Sequence, residues 1–325
     1  MFKNKTIVIT GGTGSFGNEA INHLLKLPIK QIKIFSRDEM KQWNMSSKYQ
    51  DKRIKYVIGD VRDLSSLDQA FNDADYVIHA AATKIVPTAE YNPKECILTN
   101  INGAINVIEA AKRNGVKKVV ALSTDKASNP INLYGASKLC SDKLFVAANF
   151  TSNKTKCSFS IVRYGNVMGS RGSVIPFFLE QKKKGFFTIT HKDMTRFMIT
   201  LDQAVKMVLE GFRDALGGEI YISKIPSMKV IDIARSINEK NQLKLIGIRP
   251  GEKMHEQMIG LEDSRFTYEY SKYYKILPAI FDLYKNKKYR KNGKKVDSNF
   301  SYSSDNNKQW MKKSELKKWL SKNID

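Results

Sequence analysis

An α/β fold, a doubly wound parallel sheet with a smaller C-terminal α/β lobe for substrate, is what this 325-residue sequence predicts. Three observations carry that reading. Apolar, strand-like runs alternate with helical spacing through the first half. A glycine-rich turn joins the first run to the first amphipathic stretch. The length exceeds one ordinary domain but falls short of two large ones. The strand runs fall at 7–10, 32–36, 56–59, 76–79 and 119–123, and intervening segments such as 64–71 and 102–114 have helical spacing. The sheet domain is placed at 1–165, with 197–222 returning to it, and the lobe at 166–196 and 223–325. Ligands of such sheets bind beyond the C-terminal ends of the strands, so the residues after each run are the candidates.

After the first run, Ile7-Val8-Ile9, comes Thr10-Gly11-Gly12-Thr13-Gly14-Ser15-Phe16-Gly17, which opens Ala20-Ile21-Asn22-His23-Leu24-Leu25. This layout brings backbone close to a pyrophosphate: Gly11 for the tight turn, Gly14 to clear the phosphates, Gly17 for close packing of helix on strand. The sheet is therefore Rossmann-type, with Gly11, Thr13, Gly14, Ser15, Phe16 and Gly17 at the dinucleotide. The second run ends in Ser36-Arg37-Asp38-Glu39-Met40-Lys41. Ser36 stands where a carboxylate would meet a free ribose hydroxyl, and Arg37 with Lys41 can clamp a 2′-phosphate, so NADP is expected over NAD. Asp38 can reach the ribose or cap a helix. Asp60, beside Val61, is placed to accept from the adenine amino group. Ala80 and Ala82 let the cofactor lie flat or serve plain packing, and Lys84 points into the same crevice or lies on the surface.

The fifth run ends at Ser123 and leads through Thr124-Asp125-Lys126-Ala127 to Tyr134-Gly135-Ala136-Ser137-Lys138. On a helix Tyr134 and Lys138 share one face, and the ammonium is expected to lower the phenol toward neutrality so that Tyr134 takes a substrate hydroxyl proton. Lys138 can also hold the nicotinamide ribose. Asp125 and Lys126 add a second acid–base pair, the equipment for eliminating water beside a new carbonyl. As the base, Lys126 must be partly neutral, and burial with the cations Lys84, Lys138 and the nicotinamide is expected to push it down. The alternative is that Asp125 caps the next turn and Lys126 is exposed.

The stretches Ser123-Thr124-Asp125-Lys126-Ala127-Ser128-Asn129-Pro130 and Leu133-Tyr134-Gly135-Ala136-Ser137-Lys138 resemble the inverting UDP-N-acetylglucosamine 4,6-dehydratases of the extended short-chain dehydrogenase/reductase superfamily, above all the flagellar pseudaminic-acid branch. Matching stretches run almost to the C-terminus, among them Arg163-Tyr164-Gly165-Asn166-Val167-Met168-Gly169-Ser170-Arg171, Met194-Thr195-Arg196-Phe197 and Arg249-Pro250-Gly251-Glu252-Lys253. Relatives that retain configuration usually carry Asp-Glu where this chain has Asp125-Lys126. The stretches Lys84-Ile85-Val86-Pro87 and His191-Lys192-Asp193 depart from the family pattern. The resemblance implies that Lys126 abstracts the C5 proton and returns one on the opposite face, that Asp125 assists loss of the C6 hydroxyl, and that Tyr134 is the C4 base with Thr124 positioning that hydroxyl. It further implies that Arg196 and Arg249 hold the UDP phosphates and Glu252 the uridine ribose. Lys84, Asn166 and Thr190 would line the sugar pocket. For Arg249, a surface salt bridge is the alternative. A homo-oligomer, often a hexamer, is implied in the same way.

Composition bounds the remaining classes. Lys and Arg number 55 against 32 Asp and Glu, a formal charge of +23, which raises a nucleic-acid-binding or NADP-sensing reading. The excess is dispersed, however, with its densest segment at 285–295, and no nucleic-acid partner is expected. A nucleotide-sugar 4-epimerase is the nearer rival, and Asp125-Lys126 tells against it. Cys96, Cys140 and Cys157 are odd in number and widely spaced, which suggests a reducing, cytoplasmic setting. No apolar run is long enough to span a bilayer. His23, His79, His191 and His255 are scattered, and no metal is expected.

Overall fold

The computed structural model describes residues 1–150 and 157–324, so residues 151–156 of the expected sheet domain lie outside the described residues. In chain order the first half gives β1 (Thr6–Thr10), α1 (Ser15–Leu24), β2 (Gln31–Ser36), α2 (Glu39–Lys48), β3 (Ile54–Ile58), α3 (Leu64–Phe71), β4 (Tyr76–His79), α4 (Val86–Tyr91), α5 (Pro93–Ile97), α6 (Gly103–Arg113), β5 (Lys118–Thr124), α7 (Leu133–Ala148) and β6 (Ser158–Tyr164). There follow β7 (Asn166–Val167), α8 (Val174–Lys182), β8 (Phe186–Ile189), β9 (Thr195–Ile199), α9 (Leu201–Asp214), β10 (Ile220–Ser223), β11 (Ser227–Lys229), α10 (Val230–Ile237) and β12 (Gln242–Leu245).

Seven strands form a parallel sheet in the order β3-β2-β1-β4-β5-β6-β10. Strand order reverses between β1 and β4, and the crevice above that switch point is where ligands bind. β1 and β4 are buried along their whole length, as expected for strands covered by helices on both faces. One face packs Ile7, Ile9, Ile21, Leu24 and Phe212, and the other Val8, Phe71, Val107, Val119 and Phe159. Each such side chain contributes about 1.5–3 kcal/mol through burial. The glycine turn behaves as its spacing requires. Gly11 has φ +65°, and a Cβ on Gly17 would sit 1.9 Å from the Gly12 carbonyl oxygen.

A third apolar cluster, with Ile175, Phe178, Phe187, Met194, Met198, Ile233 and Leu316, builds the smaller lobe around α8, β8, β9 and α10. Two antiparallel strands, Tyr273–Ile276 and Thr267–Glu269, extend the large sheet beyond β10. The expected division at residue 223 therefore does not separate the sheets, because the main-chain edge of β10 is covered by later sequence.

Two details depart from the expected boundaries. β3 starts two residues early, since Ile54 and Lys55 pair with Ile32 and Lys33. The helix expected at 102–114 is preceded by a wider π turn at Leu98–Asn102. That turn presents Asn100, which accepts from Thr83 N (2.8 Å) and donates to Thr83 O (3.0 Å) and Ser137 Oγ (2.9 Å). Such turns frequently mark functional positions; this one fixes the loop that carries Lys84. The fold also brings His23 Nε2 within 3.2 Å of both Glu19 on α1 and Asp202 on α9, a contact between the two helices that the linear spacing does not show.

Candidate active site

A cleft of about 970 Å³ runs from the glycine turn, past the ends of β4 and β5, to Arg249 and Glu252 in the smaller lobe. It is lined by nearly every residue singled out from the sequence; Gly17, packed behind the turn, is the exception. On the cofactor side, α1 starts at Gly14 with no side-chain cap and no acidic residue in its first turn, so its N–H groups remain available to an anion. A Cβ on Gly14 would meet only the Gly11 carbonyl oxygen, at 3.2 Å, and would otherwise project into open space. The cradle thus fits a pyrophosphate. Thr13 and Ser36 share a hydrogen bond of 2.8 Å between their hydroxyls. Phe16 and Val61 are buried, and Ala80 and Ala82 line the cleft with them.

Arg37 lies before α2 rather than on it, so it and Lys41 border the cleft without sharing a helical face. Asp38 proves to be the cap of α2, accepting from Lys41 N at 2.9 Å, and its carboxylate also pairs with the Lys41 ammonium. Asp60 Oδ2 accepts from Arg62 Nε and Nη2 at 2.8 and 2.6 Å, with Arg37 at 3.6 Å. Oδ1 accepts the Arg62 backbone N–H at 2.9 Å, so the arginines hold the carboxylate in place at the cleft wall.

The chemistry-bearing residues converge at the end of β5. Thr124 caps the short 3₁₀ turn Asp125–Ala127 through its hydroxyl, so Asp125 is free of that duty. Asp125, 1% exposed, accepts from Thr124 Oγ1 (3.0 Å) and Lys126 Nζ (3.1 Å), while its Oδ2 has no partner among the described residues. Burial pushes the Asp125 carboxyl up, against the lowering by Lys126. Gly135 lets the start of α7 press onto this turn, since a Cβ there would lie 2.2 Å from the Lys126 carbonyl oxygen. Gly135→Ala should therefore lower stability by about 1–3 kcal/mol and displace Tyr134, read as a fall in melting temperature together with lost activity.

Two expected pKa shifts are reversed. Burial pushes the Lys126 amine down, but Asp125 and Glu256 outweigh it and hold the group above its ordinary value as an ammonium. Its nearest charges are carboxylates, not the cations anticipated. Burial pushes the Tyr134 phenol up to about 12, with Lys126 and the hydrogen bond to Thr124 opposing. The cation acting on the phenol is Lys126 rather than Lys138. Lys138 is itself buried and pushed down by desolvation, with Asp142 opposing.

On the substrate side Lys84 donates to the Arg171 carbonyl at 2.9 Å. Asn166 Oδ1 and Glu252 Oε2 are buried without partners among the described residues, as polar groups awaiting a ligand would be. Thr190 turns its hydroxyl to Met194 Sδ at 3.0 Å. Arg196 differs from expectation. Its guanidinium donates to the Thr195 and Met254 carbonyls at 2.7 and 3.2 Å and pairs with Glu252 at 3.4 Å and Glu256 at 3.7 Å, so its fork is committed within the protein. Arg249 is exposed beside the Phe177 ring, 5.7 Å from its centroid, and lines the cleft.

Sequence reasoning missed Glu256, Arg171 and Asn100. Arg171 crosses the cleft to donate to Thr13 O at 3.1 Å, and Asn100 anchors the Lys84 loop. None stands at a recognisable spacing from the catalytic residues.

The sequence matches the polysaccharide biosynthesis protein family over residues 7–278. It is 53% identical over 324 residues to the UDP-N-acetylglucosamine 4,6-dehydratase (inverting) of Campylobacter jejuni subsp. jejuni serotype O:23/36 (strain 81-176), covering 97% of each chain. It is 44% identical over 317 residues to a UDP-glucose 4-epimerase of Rickettsia bellii (strain OSU 85-389), covering 95% of this chain and 93% of that one. Its fold superposes with a TM-score of 0.91 on Pen from Bacillus thuringiensis, 38% identical, covering 99% of this chain and 98% of the other.

Proposed function

The chain belongs to the polysaccharide biosynthesis protein family, and from that premise we propose that it is an inverting UDP-N-acetylglucosamine 4,6-dehydratase, a hydro-lyase. The product is UDP-2-acetamido-2,6-dideoxy-β-L-arabino-hexos-4-ulose. The observation that carries the reading is the cluster of buried Thr124 and Asp125 with half-buried Lys126 and Tyr134 facing the nucleotide cleft, joined to the high identity with the Campylobacter dehydratase.

NADP, which the glycine turn would hold, would supply the hydride-transfer chemistry between C4 and C6. Tyr134 takes the C4 hydroxyl proton, with Thr124 orienting that hydroxyl. The resulting ketone acidifies C5–H, and Lys126 removes that proton. Asp125, whose burial favours its protonated form, gives a proton to the departing C6 hydroxyl, which leaves as water. Lys126 then returns a proton to C5 on the opposite face. Lys138 holds the nicotinamide ribose. The glycine turn with Thr13, Ser15 and Ser36 carries the dinucleotide, and Arg37 and Lys41 meet its 2′-phosphate. Arg249 holds the UDP phosphates, for which a guanidinium fork suits, while Arg196 acts on the nucleotide by orienting Glu252 toward the ribose. Lys84, Asn166 and Thr190 enclose the sugar.

Residues 1–165 with 197–222 serve the cofactor, and 166–196 with 223–325 the substrate. The enzyme works as a cytoplasmic homo-oligomer, a hexamer by resemblance, in nucleotide-sugar supply for surface or flagellar glycans through pseudaminic acid. No helix among the described residues is long and apolar enough to cross a membrane.

Incubation with UDP-N-acetylglucosamine in deuterated water tests this directly. NMR should show a 4-keto-6-deoxy sugar with deuterium at C5 and inverted configuration there. A product isomeric with the substrate, epimerised at C4, would instead support the epimerase reading that the Rickettsia relative keeps open. Arg37→Ala should weaken NADP about tenfold or more, one charge-assisted contact being about 1.5–3 kcal/mol, and leave NAD nearly unchanged. Equal losses in titrations with the two dinucleotides would remove Arg37 from the 2′-phosphate site.

A further inference from the structure

The geometry points to Glu256 as the positioning residue for Lys126: it holds the amine, as the charged member of the two acidic side chains that flank it, at the point of C5 proton abstraction. The inference rests on the dehydratase reading above. Glu256 is 1% exposed, and its Oε1 lies 2.9 Å from Lys126 Nζ and 3.7 Å from Arg196 Nε. Its Oε2 is buried without a partner among the described residues, at the wall of the same cleft.

The backbone around Glu256 is built to hold it still. Its N–H donates to Ser304 Oγ at 2.9 Å and its carbonyl accepts from Ser304 N at 2.8 Å. Ser304 Oγ in turn shares a 2.6 Å hydrogen bond with Thr195, whose hydroxyl meets His255 Nδ1 at 2.8 Å. Three segments distant in sequence thus fix one carboxylate against one lysine.

Burying a carboxylate with one oxygen unsatisfied is costly, and Asp125 already gives Lys126 a partner. A purely structural ion pair does not need the second acid. The charges facing Lys126 are Asp125 on its own turn, Glu256 and Lys253 from the segment after Arg249, and Arg196 from β9, with the Tyr134 phenol on α7. The two acids are driven apart. Burial and Glu256 push Asp125 up, whereas Lys126 and Arg196 overcome burial and push Glu256 down. Asp125 is then the carboxyl that carries a proton to the leaving hydroxyl. Glu256 remains the fixed negative charge that stabilises the ammonium formed when Lys126 takes the C5 proton. It makes Lys126 a stronger base while reducing the fraction of neutral amine at a given pH.

The test is the pH profile of kcat for Glu256→Gln, which keeps the shape and removes the charge, with KM and melting temperature measured alongside. Without the carboxylate both Lys126 and Asp125 lose protons more readily, so the profile should move to lower pH by about one unit or more. The optimum kcat should fall about tenfold and KM should stay within about threefold. Glu256→Asp, which sets the charge back by one methylene, should restore part of the wild-type profile, and it carries the same comparison should Glu256→Gln fail to fold. Superimposable profiles, or a raised KM at unchanged kcat, would overturn the assignment while leaving the dehydratase reading intact. Absence of water loss in the wild-type enzyme under the same conditions would remove that reading first.

Discussion

Lys126→Ala is expected to retain NADP and oxidise UDP-N-acetylglucosamine at C4, yet lose water elimination by about 10²–10⁴-fold, the range for a positioned general base. The reasoning separates two proton transfers in one cleft. In the proposed mechanism the C4 hydroxyl is served by Tyr134, which stands on α7, whereas Lys126 belongs to the 3₁₀ turn after β5. Removing the amine also removes the cation that pulls the Tyr134 phenol down, so the first transfer should slow but keep its base. Reduced nicotinamide should therefore accumulate, visible by its near-ultraviolet absorbance, while mass spectrometry finds no loss of water from the sugar. Deuterium should also fail to enter C5. Turnover equal to wild type would reject Lys126 as the base. Loss of cofactor would mean that the variant had disturbed the turn and not the chemistry alone, which a cofactor titration reads independently.

Tyr134→Phe should produce the complementary defect. In the proposed mechanism the phenol accepts the C4 hydroxyl proton, so its loss should cut kcat by about 10²–10⁴-fold without build-up of reduced nicotinamide. Because C5 becomes acidic only after C4 is a ketone, deuterium exchange at C5 should vanish as well. Burial pushes this phenol up to about 12 while Lys126 pulls it down. In wild type, activity should accordingly rise as pH increases from neutral, since the deprotonated phenol is the working form. In Tyr134→Phe that dependence should be absent from whatever turnover remains. A pH-rate comparison of the two proteins checks it, and an unchanged profile would remove Tyr134 from the C4 step.

Much of this site was legible because its motifs are contiguous. Gly11, Gly14 and Gly17 lie within one turn, and Thr124, Asp125, Lys126, Tyr134 and Lys138 span a single strand–loop–helix unit, so spacing alone placed them together. All of them fall at the cleft or directly behind it. The freedom of each charge was not legible. Arg196 looked available and is engaged by Glu252 and Glu256. Lys126 looked destined for discharge and is held charged by Asp125 and Glu256. Electrostatics depends on distances below about 6 Å between groups far apart in the chain, and one-dimensional spacing contains no such distances.

By itself the sequence determined the strand–helix alternation, the glycine turn and the order of the catalytic residues, because periodicity and adjacency are local properties of the chain. Only the tertiary structure decided which acids surround Lys126, that Asn100 and Arg171 brace the cleft, and that late strands extend the sheet. Those arrangements arise when β5, β9 and the segment carrying Glu256 pack together, and a side chain's proton affinity follows from the neighbours that packing supplies.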